Sequence, residues 1–369
     1  MPEILQRKII QFIERSRFDD RDDPAFNTLA LSLFRYQYQH NPFYRKLCRA
    51  RKIVPDSISR WQVIPAVMTT SFKDVPLFCG DPEKDAVQVF HTSGTTRQQP
   101  GKHYLKTCAI YQKAALRFFE YACLQGQKKM PMLILGPTAS VFPNSSLGMM
   151  FSWILERFGT VDSTVMRGHS EAEYSRIVDW LQAEDKDGVF LLATSLELFN
   201  FIVWMQENRI ILTPGSIDRI LDTGGSKTAK TKLDRAELLA MIESVCAVPR
   251  SRVINEYGMT EMASQYYQSP FLPEKSGASL AGHHVRPPWL RTIACDPRTL
   301  QPLPEGEAGV LRHFDLANLD SVGMLQTEDI GIVCGNKLTL LGRDPASEPR
   351  GCSILAEECA AISRAEYVQ

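Results

Sequence analysis

The sequence predicts an α/β protein. It should have a large, mostly parallel sheet with helices on both faces, a helical N-terminal segment and a smaller β-rich C-terminal subdomain. Three observations predict it. Apolar residues in the first 60 positions fall at helical spacing. From about residue 86, short apolar runs alternate with helix-period segments. After about residue 280, short strand-like runs are split by Pro, Gly and Asn turns. Strands separated by helices build a parallel sheet covered on both sides. The expected divisions are a helical segment over 1–85 packed on the core, an α/β core over 86–280, and a β-rich subdomain with a short tail over 281–369.

Taken in order, Ile4, Leu5, Ile9, Phe12 and Ile13 share one face of a helix over 3–16. Asp23-Pro24 marks the next helix, with Asp23 as cap and Pro24 in the first turn; Phe26, Leu29, Ala30, Leu33, Phe34 and Tyr38 then follow helical spacing. Strands are expected at 87–90, 132–135, 188–193, 217–221 and 253–254. Helices are expected at 105–124, 148–157, 195–207 and 231–246. The last part carries strands at 291–295, 309–314, 331–334 and 337–341.

Composition narrows the function. Lys plus Arg number 42 and Asp plus Glu 42, so the formal charge is zero, which argues against nucleic acid or an anionic membrane as the main partner. Nine cysteines without a C-x-x-C pair fit a reducing compartment. Residues 1–8 are charged and lack the apolar core of a signal peptide, and no apolar run approaches a membrane span. A cytoplasmic protein is expected.

Several loops carry residues suited to a nucleotide. Thr92-Ser93-Gly94-Thr95-Thr96 offers hydroxyl donors and a glycine that admits backbone N–H groups, with Arg97 and Lys102 adding positive charge. A second Gly-rich loop, Asp222-Thr223-Gly224-Gly225-Ser226-Lys227-Thr228, follows a strand. It lacks the spacing of a nucleotidase phosphate loop, because Gly225 is followed by Ser226 and position 220 is Ile. Asn255-Glu256-Tyr257-Gly258-Met259-Thr260-Glu261 puts a flat aromatic, a glycine, a hydroxyl and a metal-binding carboxylate close together. Gln326–Gly331 is expected to place a carboxylate in a turn, and Leu341-Gly342-Arg343 an arginine just past a strand. Each segment alone also fits an ordinary turn. His283-His284 lacks further ligands at metal spacing and is read as structural.

In this order the motifs resemble the adenylate-forming enzymes: acyl-CoA synthetases, peptide-synthetase adenylation domains and firefly-type luciferases. Thr92–Thr96 is similar to that family's phosphate loop. Asn255–Glu261 is similar to its adenine and magnesium motif, and Gly224-Gly225 to its adenine-lining turn. Thr327-Glu328-Asp329 resembles its ribose-holding Thr-Gly-Asp, and Gly342-Arg343 the Gly-Arg that follows. Two departures stand out: 97–102 reads Arg-Gln-Gln-Pro-Gly-Lys where relatives have Gly-x-Pro-Lys, and Glu328 replaces a Gly. Most relatives continue into a mobile lid with a catalytic lysine. Here the chain runs 26 residues past Arg343, so no full lid domain is expected. The length, the helical start and Arg350-Gly351-Cys352-Ser353-Ile354 look like the short acyl-protein synthetase branch of bacterial luminescence.

The resemblance implies ATP and Mg²⁺ as cofactors and a fatty or other carboxylic acid as substrate. It also implies an acyl-adenylate intermediate and an acyl-accepting reductase as protein partner. Ser93, Gly94, Thr95 and Thr96 would hold the β and γ phosphates, and Thr260 the α-phosphate. Glu261 would bind the metal. Gly224, Gly225, Ser226, Asn255, Glu256, Tyr257 and Gly258 would surround the base, and Asp329 and Arg343 the ribose side. Cys352 is the candidate acyl-accepting thiol, with Cys359 second. Phe142, Leu147, Met149, Met150 and Phe151 fall where relatives bind the acyl part, and core is the reading preferred for them. Two other readings stay open: an acyl-CoA ligase that uses free coenzyme A, and a non-catalytic nucleotide-binding subunit.

Overall fold

A computed structural model describes residues 2–18, 22–92, 100–166, 170–183, 188–224, 234–273 and 282–343. The first helices are α1 (Pro2–Arg15), α2 (Asp23–His40) and α3 (Pro42–Ala50), followed by strands β1 (Val67–Met68), β2 (Gln88–His91) and β3 (Lys102–Leu105). Then come α4 (Ala109–Cys123), β4 (Met132–Leu135), α5 (Ser146–Phe158), β5 (Thr164–Met166), α6 (Glu171–Leu181), β6 (Val189–Thr194) and α7 (Ser195–Glu207). After these lie β7 (Ile217–Thr223), α8 (Arg235–Val245), β8 (Val253–Tyr257), β9 (Tyr266–Gln268) and β10 (His284–Val285). The described chain ends with β11 (Leu290–Cys295), β12 (Ala308–Asp315), β13 (Met324–Cys334) and β14 (Lys337–Arg343). It forms two compact units: one comprises Met1–Ala115, Met259–Ser264 and Val285–Gln369, the other Leu116–Gly258 and Gln265–His284. These units cut across the consecutive stretches 1–85, 86–280 and 281–369.

The second unit holds the α/β architecture. Its strand order is β9-β8-β7-β6-β4-β5, parallel throughout except where β9 returns antiparallel to β8. Strand β4 is Met-Leu-Ile-Leu and every residue is buried, as a parallel strand covered on both faces requires. On one face, Leu133, Leu135, Leu191 and Ala193 pack with Ile177, Phe201, Ile202 and Ile242 of α6, α7 and α8. On the other, the Phe119 ring of α4 stacks on Phe190 (5.6 Å) and on Phe158 of α5 (5.7 Å). Each such buried side chain removes enough apolar surface to contribute ~1.5–3 kcal/mol. The N-caps Ser145, Ser170, Thr194 and Asp234 each accept a backbone N–H from the first turn of the following helix, which sets where α5 to α8 begin.

In the first unit, β11, β12, β13 and β14 pair antiparallel in sequence order, and β1 adds parallel to β13. The helical N-terminus is held to this sheet by aromatic and polar contacts. Phe26 meets Trp61 and Phe314 edge-on. The buried Gln37 amide donates to Asn318 O at 2.6 Å and accepts from Gly323 N at 2.9 Å.

Several expectations need correcting. The strand expected at 87–90 does not join the parallel sheet. β2 pairs antiparallel with β3 in a separate two-stranded sheet, because the ten residues between them are too few for a crossover. The second helix is capped by Asp22, whose Oδ1 accepts from Ala25 N, and Asp23 is its first residue. Residues 326–331 are not a turn but lie inside the eleven-residue β13. Their polar side chains hide the strand pattern, yet Gln326 and Thr327 are buried and both donate to Leu311 O. Arg343 ends β14 rather than following it. β3, β5, α6 and β9 had no counterpart in the sequence reading. Among the described residues no helix is long and apolar enough to cross a membrane, and all seven cysteines are free thiols.

Candidate functional site

The residues singled out in the sequence fall into two clusters, one in each unit. In the second unit, the turn after β7 and the end of β8 lie side by side, because these strands are parallel neighbours with Thr223 opposite Glu256. Carboxyl ends of parallel strands, where the chain turns toward a helix, are where α/β sheets present ligand-binding loops. Gly224 takes φ +96°, a conformation that disfavours a side chain. Gly258 is required for a different reason: a Cβ there would lie 2.5 Å from Glu256 Oε1.

A buried carboxylate ties the two turns together. Asp222, 1% exposed, is ion-paired with Arg235, whose Nη1 lies 2.7 Å from both carboxylate oxygens. Asp222 Oδ2 also accepts from Ser195 Oγ (2.9 Å) and Asn255 Nδ2 (3.1 Å). Ser195 Oγ lies 3.1 Å from Gly224 O, which links the glycine turn to the same carboxylate. Asn255 Oδ1 faces His284 Nε2 at 2.8 Å. Glu256 is buried and accepts a short hydrogen bond from Thr223 Oγ1. Its carboxyl is pushed up to about 7, chiefly by loss of solvation, with Asp222 adding to the rise and Thr223 opposing it. The Tyr257 ring, half-buried, has Tyr266 at 5.4 Å and the edge of His284 at 6.1 Å.

The first unit carries the second cluster. The chain enters it at Met259, so Thr260 and Glu261 are held by a different set of partners. His103 Nδ1 lies 2.7 Å from Thr260 O; since a carbonyl only accepts, the ring donates from Nδ1. Burial pushes the His103 imidazole down to about 4, which agrees with a neutral ring. Asn318 Nδ2 donates to Glu261 O at 2.8 Å. Asp315, wholly buried, accepts from Ala263 N, Ser264 Oγ and Ala317 N at 2.7–3.0 Å and so fixes the turn that follows Glu261. The Glu261 carboxyl is pushed up to about 7, first by desolvation and slightly by Asp329, against the pull of Arg343 and Lys73. Asp329 and Arg343 face each other across β13 and β14, with Arg343 Nε 3.1 Å from Asp329 Oδ1. Glu261, Asp329 and Arg343 are therefore electrostatic neighbours.

Ser93, Gly94, Thr95, Thr96, Gly225, Ser226, Cys352 and Cys359 lie outside the described residues. Lys102 is exposed at the start of β3, opposite His91. Met150 and Phe151 are core, while Phe142 is 48% exposed. A cavity of about 560 Å³ in the second unit is lined by Thr138, Val141, Leu155, Val165, Met166 and Arg176 among others, and shares no residue with either cluster. Among the described residues no group of three or more His, Cys, Asp and Glu side chains is arranged to hold a metal alone. Sequence reasoning missed Asp222, Ser195, Arg235 and His284 in one cluster, and His103, Asp315 and Asn318 in the other. Their partners are distant in sequence, so no local pattern marks them. His284 is read from the sequence as structural, with no partner assigned.

The fold is that of the adenylate-forming acyl ligases. The open conformation of 2-hydroxyisobutyryl-CoA ligase, solved with 2-HIB-AMP and CoA, aligns with a TM-score of 0.61 at 16% identity, covering 87% of this chain and 69% of that one. The same ligase in its postadenylation state aligns with a TM-score of 0.65 at 15% identity, covering 87% and 67%. Among curated relatives, the long-chain-fatty-acid–luciferin-component ligase of Aliivibrio fischeri is 24% identical over 311 residues, 83% of this chain and 78% of that protein. The Vibrio harveyi protein of the same name is 21% identical over 338 residues, 88% and 85% of the two chains. The model of the family described as acyl-protein synthetase, LuxE, matches residues 12–359, and the chain belongs to that family. It is an AMP-forming ligase that uses ATP to make an acyl-adenylate.

Proposed function

We propose that the protein activates a fatty acid with ATP, takes the acyl group onto its own Cys352 as a thioester, and passes it to a reductase protein. The observation that carries the site assignment is the shared tether of two separate turns, Gly224 and Asn255–Gly258, to the buried Asp222 carboxylate. Two loops with the residue types for one base and its phosphates are thereby held in a common frame.

A carboxylate oxygen of the acid attacks the α-phosphorus of ATP, pyrophosphate leaves, and an acyl-adenylate forms. This step needs positioning and charge neutralisation rather than covalent help. Tyr257 offers its ring face to the base, which Gly224 and Gly225 also contact. Ser93, Thr95 and Thr96 donate to the β and γ phosphates and Thr260 to the α-phosphate. Asp329 and Arg343 hold the ribose side. The poorly solvated Glu261 carboxyl fits a cation, which would offset the desolvation that pushes its proton affinity up. A magnesium ion there would neutralise phosphate charge during displacement. In the second step a Cys352 thiolate attacks the acyl carbon and AMP leaves, forming the thioester.

The test is carboxylate-dependent exchange of labelled pyrophosphate into ATP over a panel of fatty and aromatic acids, followed by acyl labelling. Fatty-acid-dependent exchange, with label that survives denaturation and is lost in Cys352→Ser, is expected. Equal exchange with aromatic acids would remove the fatty-acid assignment. Thioester formation with free coenzyme A and no retained label would move the acceptor from Cys352 to the coenzyme.

A further inference from the structure

The imidazole of His103 is buried with one polar partner among the described residues. The ring stands on β3, is 1% exposed, and meets Phe72 edge-on at 5.8 Å. Its Nδ1 donates to Thr260 O at 2.7 Å, while its Nε2, equally buried, has no partner among the described residues. An aliphatic side chain would fill such a place without stripping water from two ring nitrogens. A buried polar group left half-satisfied calls for a reason. The one atom it holds belongs to the residue proposed as the α-phosphate donor.

The same hairpin carries the phosphate loop. His103 lies opposite Phe90, and Lys102 opposite His91. Beyond that pair two bonds close the stem: Thr92 N to Gly101 O at 2.9 Å, and Gly101 N to Thr92 Oγ1 at 2.8 Å. Ser93, Gly94, Thr95 and Thr96 follow directly from this closed stem in the sequence. β2 also reaches Thr260, whose Oγ1 lies 3.5 Å from His91 O. That contact is long for a hydroxyl, and a charged phosphate oxygen at ordinary distance outcompetes it. One strand of the hairpin thus fixes the Thr260 peptide, and the hydroxyl rests against the other. Hairpin and Thr260 belong to the same compact unit.

We propose that His103 is a positioning residue for acyl-adenylate formation. By gripping the Thr260 carbonyl it ties the α-phosphate donor to the stem of the loop that supplies the β- and γ-phosphate donors, so the triphosphate meets one rigid frame. The inference rests on the reading of Thr260 and Ser93–Thr96 as phosphate donors, and adds the residue that sets their mutual geometry. Negative charge shifts during displacement at the α-phosphorus, so a loosely held Thr260 weakens a contact made most strongly in the transition state. The effect therefore falls on kcat more than on KM for ATP.

The experiment measures fatty-acid-dependent pyrophosphate exchange, with the thermal midpoint of each variant alongside. His103→Leu removes the donor, and kcat is expected to fall about tenfold with KM for ATP little changed. His103→Asn places an amide N–H where Nδ1 stands and should recover most of that loss. His103→Gln, whose amide lies one bond further out, should not. Thr260→Val removes the hydroxyl but keeps the carbonyl that His103 holds. In that background His103→Leu should cost little more, because its effect runs through the missing hydroxyl. A merely structural role gives another pattern: His103→Leu slows both backgrounds by the same factor, and Asn is no better than Gln. Either result overturns the proposal. Should His103→Leu fail to fold, the comparison of Asn with Gln decides alone. Undiminished exchange in Thr260→Val overturns the phosphate reading of Thr260 itself; a slow Thr260→Val beside an unaffected His103→Leu overturns only this inference.

Discussion

Gly258 and Glu256 form a pair in which one residue's identity depends on the other's burial. The Glu256 carboxyl occupies the space beside the Gly258 α-carbon and is tied to Thr223, so it cannot swing away without losing that bond. Gly258→Ala is expected to cost about 1–3 kcal/mol, the range for overpacking a closed site, and to weaken ATP binding by displacing the Tyr257 turn. A denaturant titration and an ATP-binding isotherm on the same variant check both parts; unchanged midpoint and affinity would contradict the packing described. The motif Asn255–Glu261 was legible as a pattern of residue types. That the Glu256 carboxyl is buried was not, because its partner Thr223 lies on the neighbouring strand.

At the scale of elements, the turn carrying Glu261 is held by strands and loops far along the chain. Asp315 at the end of β12 accepts three hydrogen bonds around Ala263, Ser264 and Ala317, and Asn318 takes the Glu261 carbonyl. Asp315→Ala leaves three donors without their acceptor. A loss of ~2–4 kcal/mol in unfolding free energy is expected, with a fall in pyrophosphate exchange larger than that of an exposed control such as Glu237→Ala. Equal exchange in the two variants would mean the turn does not need Asp315. The long parallel strands were legible because continuous apolar runs such as 132–135 and 189–193 have few other uses. β13 was misread over 326–331, since Gln, Thr, Glu and Asp look like a turn until the cross-strand acceptor at Leu311 is known.

At the scale of the whole molecule, six strongly shifted groups among the described residues link folding to pH in opposing directions. Glu256 and Glu261 are raised from 4.5 to about 7 and Asp315 from 3.8 to about 6. Each keeps a proton in the folded chain that the unfolded chain has released, so folding weakens as pH rises through that interval. His103 is lowered from 6.5 to about 4, and His284 and His313 to about 3. Each is neutral when folded and charged when unfolded below 6.5, so folding weakens as pH falls. The two sets oppose one another between about pH 5 and 6.5, and below about 4.5 only Asp315 still opposes the histidines. In the absence of ligands, a flat thermal midpoint from about pH 5 to 6.5 and a decline below about 4.5 are expected. Glu256→Gln removes one member of the acidic set, so its midpoint should rise with pH across the former plateau. Scanning calorimetry in constant-ionic-strength buffers reads both curves, and a Glu256→Gln profile parallel to the parent's would refute the assignment of that proton.

The order of apolar runs and hydroxyl- and glycine-rich turns determined the fold class, and the Asn255–Glu261 segment with its counterparts pointed to an adenylate-forming enzyme. Both signals are local: strand and helix periods lie within a few consecutive residues, and ligand-binding turns demand particular residue types at adjacent positions. Only tertiary structure decided which carboxylates are buried, which amide faces which acceptor, and that Asp222, His284, His103 and Asp315 hold those turns. These properties arise when residues tens to hundreds of positions apart exclude water from one another. A buried charge or hydrogen-bond mismatch has meaning only once that exclusion has occurred.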